Sequence, residues 1–167
     1  MDLGTAAGWV VLVHALSGIL FLATLIGRWI VLGVAERAST LSEMRVVLRV
    51  SSPFERLVRV VSGVVLVLGI AAAIAVGRPF LGPIQGGHVD WLFVALLLYL
   101  SIIPLVPLVF LPKGRVFEAA LADAEARGDQ VTPVLRAAWT DPVTRAAHVY
   151  ELGAVTLVLV LMMAKPF

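Results

Sequence analysis

Cysteine is absent from this chain of 167 residues. With it go disulfides, thiolate metal sites, iron–sulfur clusters and covalently attached c-type haem, while imidazole-bound cofactors stay open. Charge is scarce as well. Charged side chains make up 14% of the sequence against 60% hydrophobic ones, too little polar surface to wrap a soluble core of this size. The bilayer must therefore act as part of the solvent. The net charge is only +2, and the basic residues are sorted by loop rather than pooled, which argues against a nucleic-acid surface. No phosphate loop, His-Glu-x-x-His motif or nucleophile elbow occurs. Internal repeats are missing too, and the reading leans away from an enzyme.

What the chain does have is long apolar runs. The first, residues 6–34, is broken only by His14 and Arg28, and it exceeds the roughly 20 residues a helix needs to cross about 30 Å of hydrocarbon. Its leader, Met1-Asp2-Leu3-Gly4, carries no basic residue, so the run reads as an uncleaved first helix rather than a signal peptide. Ser52-Pro53-Phe54-Glu55 reads as a capping box starting a second helix over residues 53–77. Asp90 caps a third over 91–111, in which Pro104 and Pro107 predict a kink. Asp141-Pro142 starts a fourth over 142–163, stopped by Lys165-Pro166. Between them, 35–52 has the pattern of a short amphipathic helix lying on the membrane surface, with Leu41, Met44, Val47 and Leu48 among its charges. The 113–141 loop holds two more short helices, one ended by Gly128 and one begun at Thr132-Pro133.

These elements predict a single all-α transmembrane domain, an integral membrane four-helix bundle with short cytoplasmic amphipathic helices. Arg37, Arg45, Arg49 and Arg56 lie in one polar stretch and Lys113, Arg115, Arg127, Arg136 and Arg145 in another, against only Arg78 and Lys165 on the opposite side. By the positive-inside rule both termini then face outward. Small residues supply the packing faces: Gly18 and Gly27 on the first helix, and Gly69, Ala73 and Gly77 four apart on the second.

The ionisable residues within these spans need partners, since an isolated charge in hydrocarbon is costly. His14, Gly18, Phe21, Leu25 and Arg28 recur at steps of four and three, so they share one face, which should look inward. Arg28 and Glu151 each lie about 9 Å inside the cytoplasmic boundary by helical rise. Either the two pair across helices one and four, or Arg28 snorkels to the headgroups and Glu151 is protonated or wet. His148, three residues before Glu151, puts an imidazole beside the carboxylate, as a metal site would. With no second carboxylate at that depth, a buried polar cluster of Arg28, His148 and Glu151 is the simpler reading. His14, in the outer half of the bilayer, is a candidate ligand for haem or copper, a proton relay or a helix–helix hydrogen bond. His88 and Asp90, on the same side, are candidate metal partners for it.

The segment Val13-His14-Ala15-Leu16-Ser17-Gly18-Ile19-Leu20 and the terminal Met162-Met163-Ala164-Lys165-Pro166 resemble a family of bacterial four-helix inner-membrane proteins, domain of unknown function number twenty-two sixty-nine. Where members often carry Trp and paired Gly, this chain has Leu20-Phe21-Leu22-Ala23. The family is distantly similar to copper-resistance membrane proteins and to membrane-bound protoporphyrinogen oxidase. That resemblance implies a metal or haem b role for His14. The expected function is an accessory or assembly subunit in the bacterial inner membrane, in contact with lipid and with other membrane subunits or itself. The alternatives are a haem- or copper-binding redox protein using His14, and proton or small-ion transport along Arg28, Glu151 and His148.

Overall fold

The computed structural model describes residues 4–128 and 130–166. Six α-helices follow in order: α1 Ala6–Ala35, α2 Leu41–Ala75, α3 Trp91–Leu100, α4 Leu111–Ala126, α5 Pro133–Trp139 and α6 Pro142–Ala164. No strand occurs among the described residues; one isolated bridge joins Thr40 to Gln130. Three helical stretches, Ala6–Ala35, Leu41–Ala75 and Pro133–Ala164, are long and apolar enough to cross a membrane.

The second helix corrects the expected boundary. Two capping boxes compete, and the earlier one starts the helix: Glu43 N donates to Thr40 Oγ1 at 3.2 Å, and Thr40 N donates to Glu43 Oε2 at 3.3 Å. Pro53 falls inside a continuous 35-residue helix instead of opening one. Its ring nitrogen has no hydrogen to give, so the ladder loses one bond there. The gain lies upstream. Continuing the helix back to Leu41 buries Leu41 and Met44 with Ala38 against Ala120, Ala124 and Leu135 of α4 and α5. The apolar face of 35–52 is thus covered by protein rather than laid on lipid. Thirty-five residues also span about 52 Å, well beyond a hydrocarbon layer of about 30 Å, leaving the charged first turns clear of it.

The third helix is shorter than expected. α3 has 10 residues, and 101–104 tighten into turns in which Ile102 N bonds Tyr99 O and Leu105 N bonds Ile102 O. A π-helical turn, Val106–Phe110, follows before α4 begins. Pro104 and Pro107 each remove a backbone donor, so a regular ladder cannot run through both.

Two cores result. The larger joins Phe21 and Leu25 of α1, Val61 and Val65 of α2, Ala95, Tyr99 and Ile102 around α3, and Ala154, Val155 and Val158 of α6. The smaller is the α2–α4–α5 cluster at the basic end, where the Phe117 and Trp139 rings pack at 5.0 Å between centroids, tilted by 56°. Polar clamps hold it: Arg45 on Glu125 at 2.7 Å, Arg145 on Glu36 at 2.5 Å, and Arg136 donating to the carbonyls of Glu36 and Ala38 at 3.2 Å. Leu135 is fully buried there. Replacing it with Ala should cost about 2–5 kcal/mol of local stability, the usual range for emptying such a site. Hydrogen exchange should show amides of α5 and the start of α2 losing protection together, with the Tyr99 region unchanged.

Candidate functional site

The inward face of α1 forms as its spacing predicts: Gly18, Phe21, Leu25 and Arg28 are all buried. Arg28 is 5% exposed and Glu151 4%. The Arg28 guanidinium donates through Nη2 to Glu151 Oε2 and lies 3.0 Å from His148 Nδ1 through the same nitrogen. Its Nη1 is 3.6 Å from Glu55 Oε2. Arginine has only donors, so in that hydrogen bond His148 accepts through Nδ1. His148 Nδ1 and Glu151 Oε2 stand 3.7 Å apart, too far for a hydrogen bond of their own.

Phe110 closes the cluster. Its ring stacks on His148 at 4.7 Å between centroids and lies 5.8 Å from Arg28 Cζ. The expected polar cluster thus gains two members. Glu55, read from sequence as a capping residue, reaches Arg28 because α1 and α2 run as a hairpin in which Phe54 fills the space a side chain at Gly27 would need. Phe110 carried no sequence signal, since its position depends on the π turn.

His14 sits elsewhere. A Cβ on Gly69 would fall 2.9 Å from His14 Cε1, so the glycine is the seat for the imidazole. The Val65 backbone is a polar neighbour, while Nδ1 is buried without a hydrogen-bond partner. The ring lines an apolar crevice of about 60 Å³ with Tyr99, Phe80 and Met162 among its walls. His88 and Asp90 line a different pocket, with Arg78, Trp91 and Lys165. Asp90 accepts from Phe93 N at 2.9 Å as the cap of α3. His14 is therefore not brought together with them, and among the described residues no three His, Asp or Glu side chains gather as metal ligands. Of the small residues, Gly18 receives Leu159 and Ala73 is buried. Gly77 lies past the end of α2 at φ +66°, a turn residue rather than part of a packing stripe.

A chain of apolar helices closed around an ionic cluster is the design of an integral membrane protein, since hydrocarbon leaves buried charges only one another as partners. Residues 9–166 match the family described as "Predicted integral membrane protein (DUF2269)", and the chain belongs to that family. No curated protein and no solved structure matches it.

The two carboxylates on Arg28 differ in burial, and their removal should differ in cost. Glu151→Ala leaves a guanidinium buried with its main counter-charge gone and should lose about 3–5 kcal/mol in reversible unfolding from detergent micelles. Glu55, with its side chain 44% exposed, should lose less than about 1 kcal/mol as Gln.

Proposed function

We propose that the chain is a multi-pass protein of the bacterial inner membrane and serves as a non-catalytic accessory or assembly subunit. In this reading it is a single domain that crosses four times, α3 and the irregular turns after it completing the third crossing. Both termini lie outside and the α2–α4–α5 core lies in the cytoplasm, because Arg45, Arg136 and Arg145 cluster at that end. The carrying observation is a pair of glycines. Gly63 of α2 and Gly153 of α6 sit in mid-helix, exposed, with open space where a Cβ would stand. Mid-helix glycine costs about 0.5–1 kcal/mol relative to alanine, and nothing inside the chain uses the room. Gly18, Gly27 and Gly69, by contrast, are occupied by Leu159, Phe54 and His14. The outward glycines are suited to close approach by a helix of another subunit or a second copy. The transport reading finds less support, because Arg28 already engages two carboxylates and an imidazole under the Phe110 ring.

Native gels of mildly solubilised membranes should show the chain in a species larger than a monomer. Gly63→Leu or Gly153→Leu, which raise helix propensity, should dissociate that species while leaving the fold intact. Monomeric wild-type protein, or complexes that both variants leave unchanged, would refute the reading.

The buried Nδ1 of His14, which has no hydrogen-bond partner, favours a second reading, a metal or haem site at that imidazole. Haem does not fit, since ligand pockets of that kind run to about 300–1,000 Å³ and this crevice holds about 60 Å³. Cuprous ion suits the donors: His14 supplies an imidazole and Met162, on the same crevice, a soft thioether. On this reading purified protein retains copper that His14→Ala and Met162→Leu each lose, as elemental analysis would measure. Metal-free wild-type protein after copper loading would exclude it.

A further inference from the structure

At the end of the molecule away from the basic loops, the sequence offers only two basic residues, Arg78 and Lys165. They are 87 positions apart and meet at one ring. Arg78 Cζ lies 5.5 Å and Lys165 Nζ 5.9 Å from the Trp91 centroid. Both are aimed by helix ends. Gly77 turns at φ +66°, and Arg78 N then bonds back to Ala73 O at 2.9 Å, closing α2. Lys165 holds the left-handed conformation at φ 44°, its N bonded to Leu161 O at 2.9 Å, an uncommon backbone for a residue with a side chain. With Pro79, His88, Asp90 and Trp91 they line an open pocket of about 410 Å³.

Two like charges over one indole repel each other. Among the described residues no carboxylate forms an ion pair with either cation. Among the described residues lining the pocket, Asp90 is the single carboxylate, and one of its oxygens is committed to capping α3. Its described lining therefore carries two cations against one carboxylate. A guanidinium fork beside an ammonium group is chemistry suited to phosphate. Phe80 and Leu92, the chain neighbours of Pro79 and Trp91, line the apolar crevice that holds His14, so the two cavities adjoin along the chain. Cations beside hydrocarbon walls fit an amphiphile better than a free ion. We propose that Arg78, Lys165, His88 and Trp91 form a binding site for the phosphate of an anionic phospholipid, whose acyl chains run along the apolar surface beneath.

The test uses the full chain in nanodiscs of phosphatidylcholine doped with phosphatidylglycerol, with retained lipids counted by native mass spectrometry. Wild-type protein should retain phosphatidylglycerol over phosphatidylcholine, and the R78Q/K165Q variant should lose that preference by roughly tenfold or more, as two headgroup-level cations imply. Asp90→Asn keeps the helix cap and removes the competing charge, so it should raise retention; this variant decides the matter even if R78Q/K165Q fails to fold. Adding inorganic phosphate at millimolar concentration separates the two sources of the group. Undiminished retention supports the lipid, and displacement of phosphatidylglycerol by phosphate overturns it as the occupant. Equal retention of the two lipids by wild-type protein, or no response to Asp90→Asn, overturns the site.

Discussion

A guanidinium cannot be deprotonated at any pH the cell reaches, so Arg28 brings a permanent charge into a helix otherwise made for hydrocarbon. The requirement that this charge be neutralised orders much of the rest. It fixes the rotation of α1, because the face bearing Arg28 must look at α6, and the steps of four and three then bring Phe21 and Leu25 into the same seam. It fixes the axial register of α6, since Glu151 must stand level with the guanidinium. The placing of the α1–α2 hairpin follows in part as well, with Phe54 against Gly27 and Glu55 beside Arg28. Apolar contacts alone would not select these arrangements, because between helices in lipid the hydrophobic effect gives little preference for protein over acyl chain.

Away from the ionic cluster, a second core holds the chain. The cluster of Leu41, Met44, Ala124 and Leu135 excludes water in the ordinary way, each large buried side chain contributing about 1.5–3 kcal/mol. The molecule thus joins two kinds of packing along α2, whose first turns belong to the water-excluding core and whose later turns belong to the lipid-facing one. Pro53 falls near the changeover. A helix that runs unbroken through both cores keeps the α2–α4–α5 cluster in fixed register with the ionic cluster, and Ser51, buried beside the proline, turns its hydroxyl onto the Leu48 carbonyl at 2.8 Å.

Much of this was legible in the residues. The inward face of α1 could be read because its polar and small residues repeat at helical spacing, and the common level of Arg28 and Glu151 because depth follows from helical rise, though rise alone does not choose between a pair and a snorkelling Arg28. The caps at Asp90, Thr132 and Asp141 each accept from the backbone as their side chains suggest. What failed did so for non-local reasons. Thr40 and Ser52 offer equivalent local start signals, and the choice between them is made by α4 and α5, about 80 residues away. An apolar stripe such as Leu41–Met44–Leu48 reads the same whether it will meet lipid or a partner helix. The meeting of Arg78 with Lys165 over Trp91 depended on where two helix ends fall, a detail no spacing encodes. His14 and His88 were grouped by side of the membrane, and side alone does not bring two rings to one pocket.

The ordering role of Arg28 requires that it be energetically coupled to Glu151 across α1 and α6. A double-mutant cycle with Arg28→Met, Glu151→Met and the two combined, read as unfolding free energy in bilayer-like micelles, measures that coupling. It should come out at or above about 1 kcal/mol, the double variant costing much less than the two single ones together. Costs that add to within about 0.3–0.5 kcal/mol would mean the two charges are independent, and the ordering role given to Arg28 would be wrong.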